Sequence, residues 1–243
     1  MAPRKDKKMI LQLVKARRRQ VLLDVDTQRD FLLATGNACI RNHRRVLAHI
    51  RRMLAWARRR NIPIISTAIV YPDNNGDTEI NYCIDGTEGQ KKINYTLVNN
   101  RISFAADGNT DLPRDLLRQY KQVVLHKRCV DPFDEPRIDR LLSELRANQF
   151  IVVGAGAEGA VKATTLGLLQ RGKNVVVVAD AVGSSNKREA RLALRKMEAK
   201  GARIIETKRL AGTSRLRLIG VCDCESCRGL KTKESVAARR QGA

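Results

Sequence analysis

The chain has 243 residues, 43% of them hydrophobic, enough for one ample core, and no apolar run approaches the about 20 residues that a membrane span needs. Forty-seven Lys and Arg against 25 Asp and Glu give a formal net charge of +22. That balance points to anionic partners, RNA or a ribonucleoprotein surface, while aromatics at only 4% argue against base-stacking platforms and favour contacts to phosphate.

Residues 1–19 read as a basic arm. Met9 to Val14 is too short for a secretory h-region and is broken by Gln12, so a cytoplasmic protein is expected. Residues 20–212 read as one domain and 213–243 as a basic, cysteine-containing tail. Gln20–Val25 (QVLLDV) has the continuous apolar character of a buried parallel strand. It places Asp26 at its C-terminal end, the edge where open parallel sheets hold ligands. Residues 37–60 read as a helix, with Val46, Leu47, Ile50, Met53, Leu54 and Ala57 as the apolar stripe. Arg44, Arg51 and Arg58 recur at seven-residue spacing, as do Arg45, Arg52 and Arg59. Seven residues make nearly two turns, so these form two stacked arginine rows and are candidate phosphate contacts.

A second strand is expected over 64–70. Residues 71–120 read as irregular, with turn signals at Asp73-Asn74-Asn75-Gly76 and Gly86-Thr87-Glu88-Gly89. Strands over 122–126, 149–153, 174–179 and 203–206 alternate with helices over 135–147, 158–171 and 186–200. This alternation predicts an α/β fold, a three-layer α/β/α sandwich on a doubly wound, mostly parallel sheet of about six strands.

Residues 151–165, IVVGAGAEGAVKATT, run from an apolar strand through glycines into a helix, a natural anion site because backbone N–H groups gather there. Gly154 to Gly159 also fits the dinucleotide fingerprint, with Asp180 at about the spacing of a ribose-binding acid. Such fingerprints usually open a domain, however, and here three strands come first.

A second reading uses more of the chain. Asp26-Thr27-Gln28-Arg29-Asp30-Phe31, the 83–89 segment, Lys127 with Phe133 six residues on, the 154–165 turn and Ala179 to Ser185 follow one another in order. In this the sequence resembles the isochorismatase-like cysteine hydrolases, the family of isochorismatases, nicotinamidases and carbamoyl amidohydrolases. The resemblance covers about residues 20–212 and implies that fold. It implies that Asp26 is the general base and Lys127 the cation favouring a thiolate. The N–H groups around Gly156 and Ala160 would be the oxyanion donors. Gln28, Phe31 and Phe133 would border the pocket of a small amide-like substrate, and a homo-oligomer is implied.

Ala160 occupies the nucleophile position of that pattern, and a methyl group cannot attack a carbonyl. Three explanations stay open. A cysteine was replaced by design; alanine is native in a pseudoenzyme recruited for binding or assembly; or another cysteine serves, Cys129 standing two residues beyond Lys127. Residues 66–73 lack the Asp-x-His pattern of the nicotinamidase-type members, and His43, His49 and His126 lie elsewhere, so no catalytic metal and no cofactor are expected. Cys222, Cys224 and Cys227 supply three thiolates of the four ligands that structural zinc usually takes. Free tail thiols or a structural zinc completed by another cysteine both remain open there. Without a leader, a disulfide framework is not expected.

Overall fold

The computed structural model describes residues 20–73 and 80–212. The arm 1–19 and the tail with Cys222, Cys224 and Cys227 lie outside the described residues. Seven strands form one sheet: β1 (Gln20–Val25), β2 (Ile64–Ile69), β3 (Arg101–Phe104), β4 (Gln122–Lys127), β5 (Gln149–Gly154), β6 (Val175–Val182) and β7 (Arg203–Ile205). Their spatial order is β3-β4-β2-β1-β5-β6-β7, and every pairing is parallel. Helices α1 (Arg29–Leu32), α2 (His43–Arg59), α3 (Leu116–Gln119), α4 (Pro136–Glu144), α5 (Ala160–Gln170), α6 (Lys187–Ala199) and α7 (Lys208–Ala211) connect them.

The period-2 alternation of the strands divides the interior into two cores. On one face Val21, Leu23, Phe150, Val152, Val175 and Val177 pack with Ile138 and Leu142 of α4, Val161 and Leu168 of α5 and Met197 of α6. On the other, Leu22, Ile64, Ile151, Val153, Val176 and Val178 pack with the α2 stripe, Val46, Leu47, Ile50, Met53 and Leu54. Helices thus cover both faces of a parallel sheet, as their hydrophobic strands require.

Two differences from the expected elements have local causes. The long helix starts at His43, not near residue 37. Gly36 packs so closely on Asp30 that an added Cβ would lie 2.3 Å from its carbonyl oxygen, and the Asp30 carboxylate accepts Asn37 N–H (3.0 Å) and Cys83 N–H (2.6 Å). This region is therefore tied into a loop. Secondly, the stretch expected to be irregular contributes edge strand β3, pairing Arg101 to Phe104 with Gln122 to Leu125. Its residues alternate exposed and half-buried, so RISF offers no apolar run to mark it.

Phe150 is fully buried in the first core. Phe150→Ala is expected to cost about 3–5 kcal/mol, read as a lower urea midpoint at unchanged slope.

Candidate active site

The C-terminal ends of β1, β2 and β4 meet around one ion pair. Where the run of β1 stops, Asp26 takes a left-handed backbone conformation, φ 47°. Its N–H points at Thr67 O (3.2 Å) and Thr67 Oγ1 (3.3 Å). The Thr67 hydroxyl donates to Asp26 Oδ1 at 2.6 Å, and Lys127 Nζ lies 2.8 Å from Asp26 Oδ2. The β2–β4 register sets Lys127 beside Ile69. The lysine side chain is fully buried, and its ammonium also donates to Cys129 O (3.0 Å) and Val130 O (3.2 Å). All three of its donors therefore have acceptors, as a buried ammonium requires.

The glycine turn stands next to this pair, because Gly154 registers with Val25. Gly154 has φ 142°, and a Cβ there would lie 2.0 Å from Val25 O, so only glycine lets the two strand ends approach. Ala155 N–H donates to Val25 O (2.9 Å), and Gly159 and Val161 N–H both donate to Gly156 O (3.1 and 3.0 Å). The Ala160 N–H between them donates to no described group. Ala160 opens α5 and is 7% exposed. Space for a Cβ on Gly159 ends at Val130 Cγ1, 3.5 Å away. Residue 130 thus touches the turn with its side chain and Lys127 with its carbonyl. The arrangement combines a buried carboxylate–ammonium pair, a free backbone donor at a helix start and a methyl group at that helix's first position.

The three residues expected to border a pocket are each engaged with neighbouring groups. Gln28 is fully buried, donates through Nε2 to Ile69 O (2.7 Å) and Gln90 O (2.8 Å), and accepts Ile69 N–H (2.9 Å). It clamps the end of β2 to the 80–100 loop. Phe133 lies under the Arg171 guanidinium, 3.8 Å from its centroid, and against Gly167, where a Cβ would clash at 2.1 Å. Phe31 is half-buried and joins an aromatic group, 5.5 Å from Tyr82, which in turn stands edge-on to Tyr71.

Lys92 and Ser66 carry no signal in the linear sequence. Lys92 is buried with its Nζ 3.1 Å from Asp24 Oδ2 and 3.0 Å from Thr67 O. Ser66 Oγ donates to the same carboxylate (2.9 Å). Cys83 is fully buried, with φ 52°. Burial pushes its thiol well above the ordinary value of 9.0, and the Asp30 and Asp26 charges add to this. A thiol held protonated is a poor nucleophile. The Tyr71 hydroxyl is raised likewise, by burial and then by Tyr82 and Asp26. Cys129 is exposed, and it is its carbonyl that meets Lys127. Among the described residues no group of three or more His, Cys, Asp and Glu could hold a metal ion, and no described helix is long and apolar enough to cross a membrane.

The arginine rows of α2 are unequal. Arg45, Arg51, Arg58 and Arg59 are exposed, while Arg44 and Arg52 are half-buried. Arg52 donates to Gly212 O. Arg58 donates to Tyr95 O (2.6 Å) and Leu97 O (3.0 Å).

Fold and site together define a parallel α/β sandwich of the hydrolase type, with an acid–lysine pair under a strand-to-helix turn. The Isochorismatase domain model matches residues 20–209, and the chain belongs to the isochorismatase family. A comparison with curated proteins gives no match. Among solved structures, the zinc complex of Pyrococcus horikoshii pyrazinamidase is 20% identical, with TM-score 0.61 over 77% of this chain and 99% of that one. The MAR1 ribonuclease of Caenorhabditis elegans is 21% identical, with TM-score 0.55 over 89% of each chain. N-carbamoylsarcosine amidase of Thermoplasma acidophilum is 19% identical, with TM-score 0.57 over 78% of this chain and 96% of that one. At these identities the likeness is one of fold.

Two outcomes are expected from the site. Asp26→Asn keeps the Thr67 hydrogen bond but leaves Lys127 as a buried unpaired charge. It should cost about 3–5 kcal/mol in urea unfolding, and Asp26→Asn combined with Lys127→Met should recover most of that loss. The raised Cys83 thiol contributes stability that is complete below pH 9.0 and is lost as pH rises towards its folded value. At pH 9 Cys83 should therefore resist iodoacetamide while exposed Cys129 reacts, as read by peptide mass mapping; modification of Cys83 at the rate of Cys129 would contradict its burial.

Proposed function

We propose that this chain is a pseudoenzyme of the isochorismatase family that binds RNA or a ribonucleoprotein through its basic surface. The observation that carries the reading is Ala160, a methyl group at the first position of α5. Thr67 and Lys127 occupy the two oxygens of the carboxylate, Asp26, Cys129 and Val130 occupy the ammonium, and Ala160 offers no thiol to share with either. Burial, together with the Asp30 and Asp26 charges, pushes Cys83 away from the thiolate. The net charge of +22 and the exposed Arg45, Arg51, Arg58 and Arg59 supply the electrostatics for a phosphate backbone. A fold likeness to the MAR1 ribonuclease of Caenorhabditis elegans lends support to RNA as the partner class.

The test is binding of a 20-nucleotide single-stranded RNA, followed by fluorescence anisotropy over 50 to 200 mM salt. With four phosphate contacts, log K should fall against log salt with a slope of about −3. A flat salt response, or no binding at 100 mM salt, would remove the RNA reading. Gel analysis of the same samples shows whether the RNA stays intact, and cleavage would make the protein a nuclease instead of a pseudoenzyme.

A second reading is favoured by the intact pair and by the unoccupied N–H at Ala160. If a cysteine stood at position 160, the chain would be a cysteine amidohydrolase for a small amide-like C–N bond. The turn would stabilise the oxyanion and Asp26 would take the thiol proton. Ala160→Cys should then create a thiol that alkylates at pH 7 at least tenfold faster than Cys129, and adding Asp26→Asn should abolish that advantage; an ordinary slow thiol would end this reading. Assembly as a homo-oligomer is part of the same proposal, and light scattering of the full chain measures it.

A further inference from the structure

The parallel sheet has a second functional edge. Gln20 and Ile64 begin β1 and β2 and Lys121 immediately precedes β4, and all three line a cleft of about 1260 Å³. Asp26 and Lys127 lie six residues further along the same strands, about 20 Å away at about 3.3 Å per residue. The cleft is therefore separate from the acid–lysine site.

Four cations face it: Arg58, Arg60, Arg118 and Lys121. They come from the C-terminal end of α2, the residue that follows it, α3 and the α3–β4 link. Among the described residues no carboxylate lines the cleft. Arg118 reaches an exposed Asp115 at 3.3 Å, Arg60 lies over the Trp56 ring at 5.9 Å, and the Lys121 ammonium makes no ion pair or hydrogen bond among the described residues. Like charges converging without an acid repel one another, and a bound anion relieves that repulsion. The space exceeds the about 300–1,000 Å³ of small-molecule sites, so a lone phosphate would leave most of it empty. Asn61, Asn99 and Asn100 add amides that can both donate to and accept from base edges.

We infer that this cleft, at the sheet edge opposite the acid–lysine pair, is the seat of single-stranded RNA. Arg58, Arg60, Arg118 and Lys121 hold the phosphates there. The inference rests on the reading that the chain binds RNA, and it replaces the straight arginine rows of α2 with a composite site in which Arg58 is the one shared member. Arg45, Arg51 and Arg59 then contribute only long-range attraction.

The experiment compares two triple charge reversals in the full chain. One is Arg60→Glu, Arg118→Glu and Lys121→Glu in the cleft. The other is Arg188→Glu, Arg191→Glu and Arg195→Glu, all exposed on α6. Each lowers the formal charge by six from +22, so a general charge effect weakens both alike. With the 20-nucleotide RNA, the cleft variant should lose at least 30-fold in affinity and about 2 in salt slope, as three lost single-strand phosphate contacts require. The α6 variant should lose no more than threefold. Polyglutamate of equal charge serves as the competitor and should displace the RNA at least tenfold less well than unlabelled RNA. Equal losses in the two variants, or a cleft variant that binds like the unaltered chain, would overturn the site while leaving RNA binding in place. Equal displacement by polyglutamate would overturn the assignment to RNA. Failure of the unaltered chain to bind RNA would overturn the parent reading, and the cleft with it. Thermal unfolding of each variant reports whether the fold is kept, and Lys121→Gln, exposed and free of ion pairs, gives the single-contact version with an expected three- to tenfold loss.

Discussion

The C-terminal edge of the sheet depends on burying an ammonium. Lys127 has no exposed side-chain surface, and an isolated charge there would cost several kcal/mol. The fold answers by bringing three acceptors to it: the carboxylate of Asp26 and the carbonyls of Cys129 and Val130. Each requirement shapes a different segment. Asp26 must leave the extended strand for the left-handed region. The chain after β4 must turn back at once, so that its carbonyls point inward. β1 and β4 must reach the same level, which the register of β2 between them ensures.

Thr67 couples this pair to a second one. Its hydroxyl donates to Asp26 while its carbonyl accepts from Lys92, whose ammonium also lies by Asp24. One residue of β2 therefore links two buried ion pairs. Ser66 extends the network to Gln122, which holds the backbone at Thr96 and Val98. Polar networks of this kind stabilise only when nearly every member is satisfied. Here Asp24 Oδ1 remains without a partner, whereas both oxygens of Asp26 are engaged. A thiol-based enzyme needs its base able to receive a proton. In this chain a hydroxyl and a cation stand at the two oxygens of Asp26, and a methyl group stands at the first residue of α5.

What could be read from the sequence follows the physics of each element. β1 has the bounds that the apolar run QVLLDV indicates, because a strand buried on both faces advertises itself in every residue. β3 could not be read, because a four-residue edge strand buries too little to leave a pattern. The long helix starts later than its apolar spacing indicates, because nothing linear reveals that Asp30 ties Asn37 and Cys83 into a loop. Asp26 and Lys127 are separated by a hundred positions, and it was the ordered family motifs, not any periodicity, that singled them out. Gln28 shows the converse. Its place in a motif marks it as important, yet only the structure shows that its amide is spent on the backbone of Ile69 and Gln90. Lys92 was invisible, although its partner Asp24, an acid inside an apolar strand, already demanded some cation.

A parallel sheet has two chemically different ends, and this chain loads them differently. At the C-terminal end, Lys92 and Lys127 are buried and paired with Asp24 and Asp26, while Asp30 is held by backbone N–H groups. At the N-terminal end, four cations line an open cleft, and Arg118 alone among them pairs with a described acid, the exposed Asp115. Burial explains the contrast. A charge can be left unmatched only where water or a visiting ion can screen it, so any excess positive charge had to collect where the sheet does not close over it. The family's turn and ion pair hold the architecture at one end. Arg58, Arg60, Arg118 and Lys121 line the cleft at the other, with the core of the sheet between them.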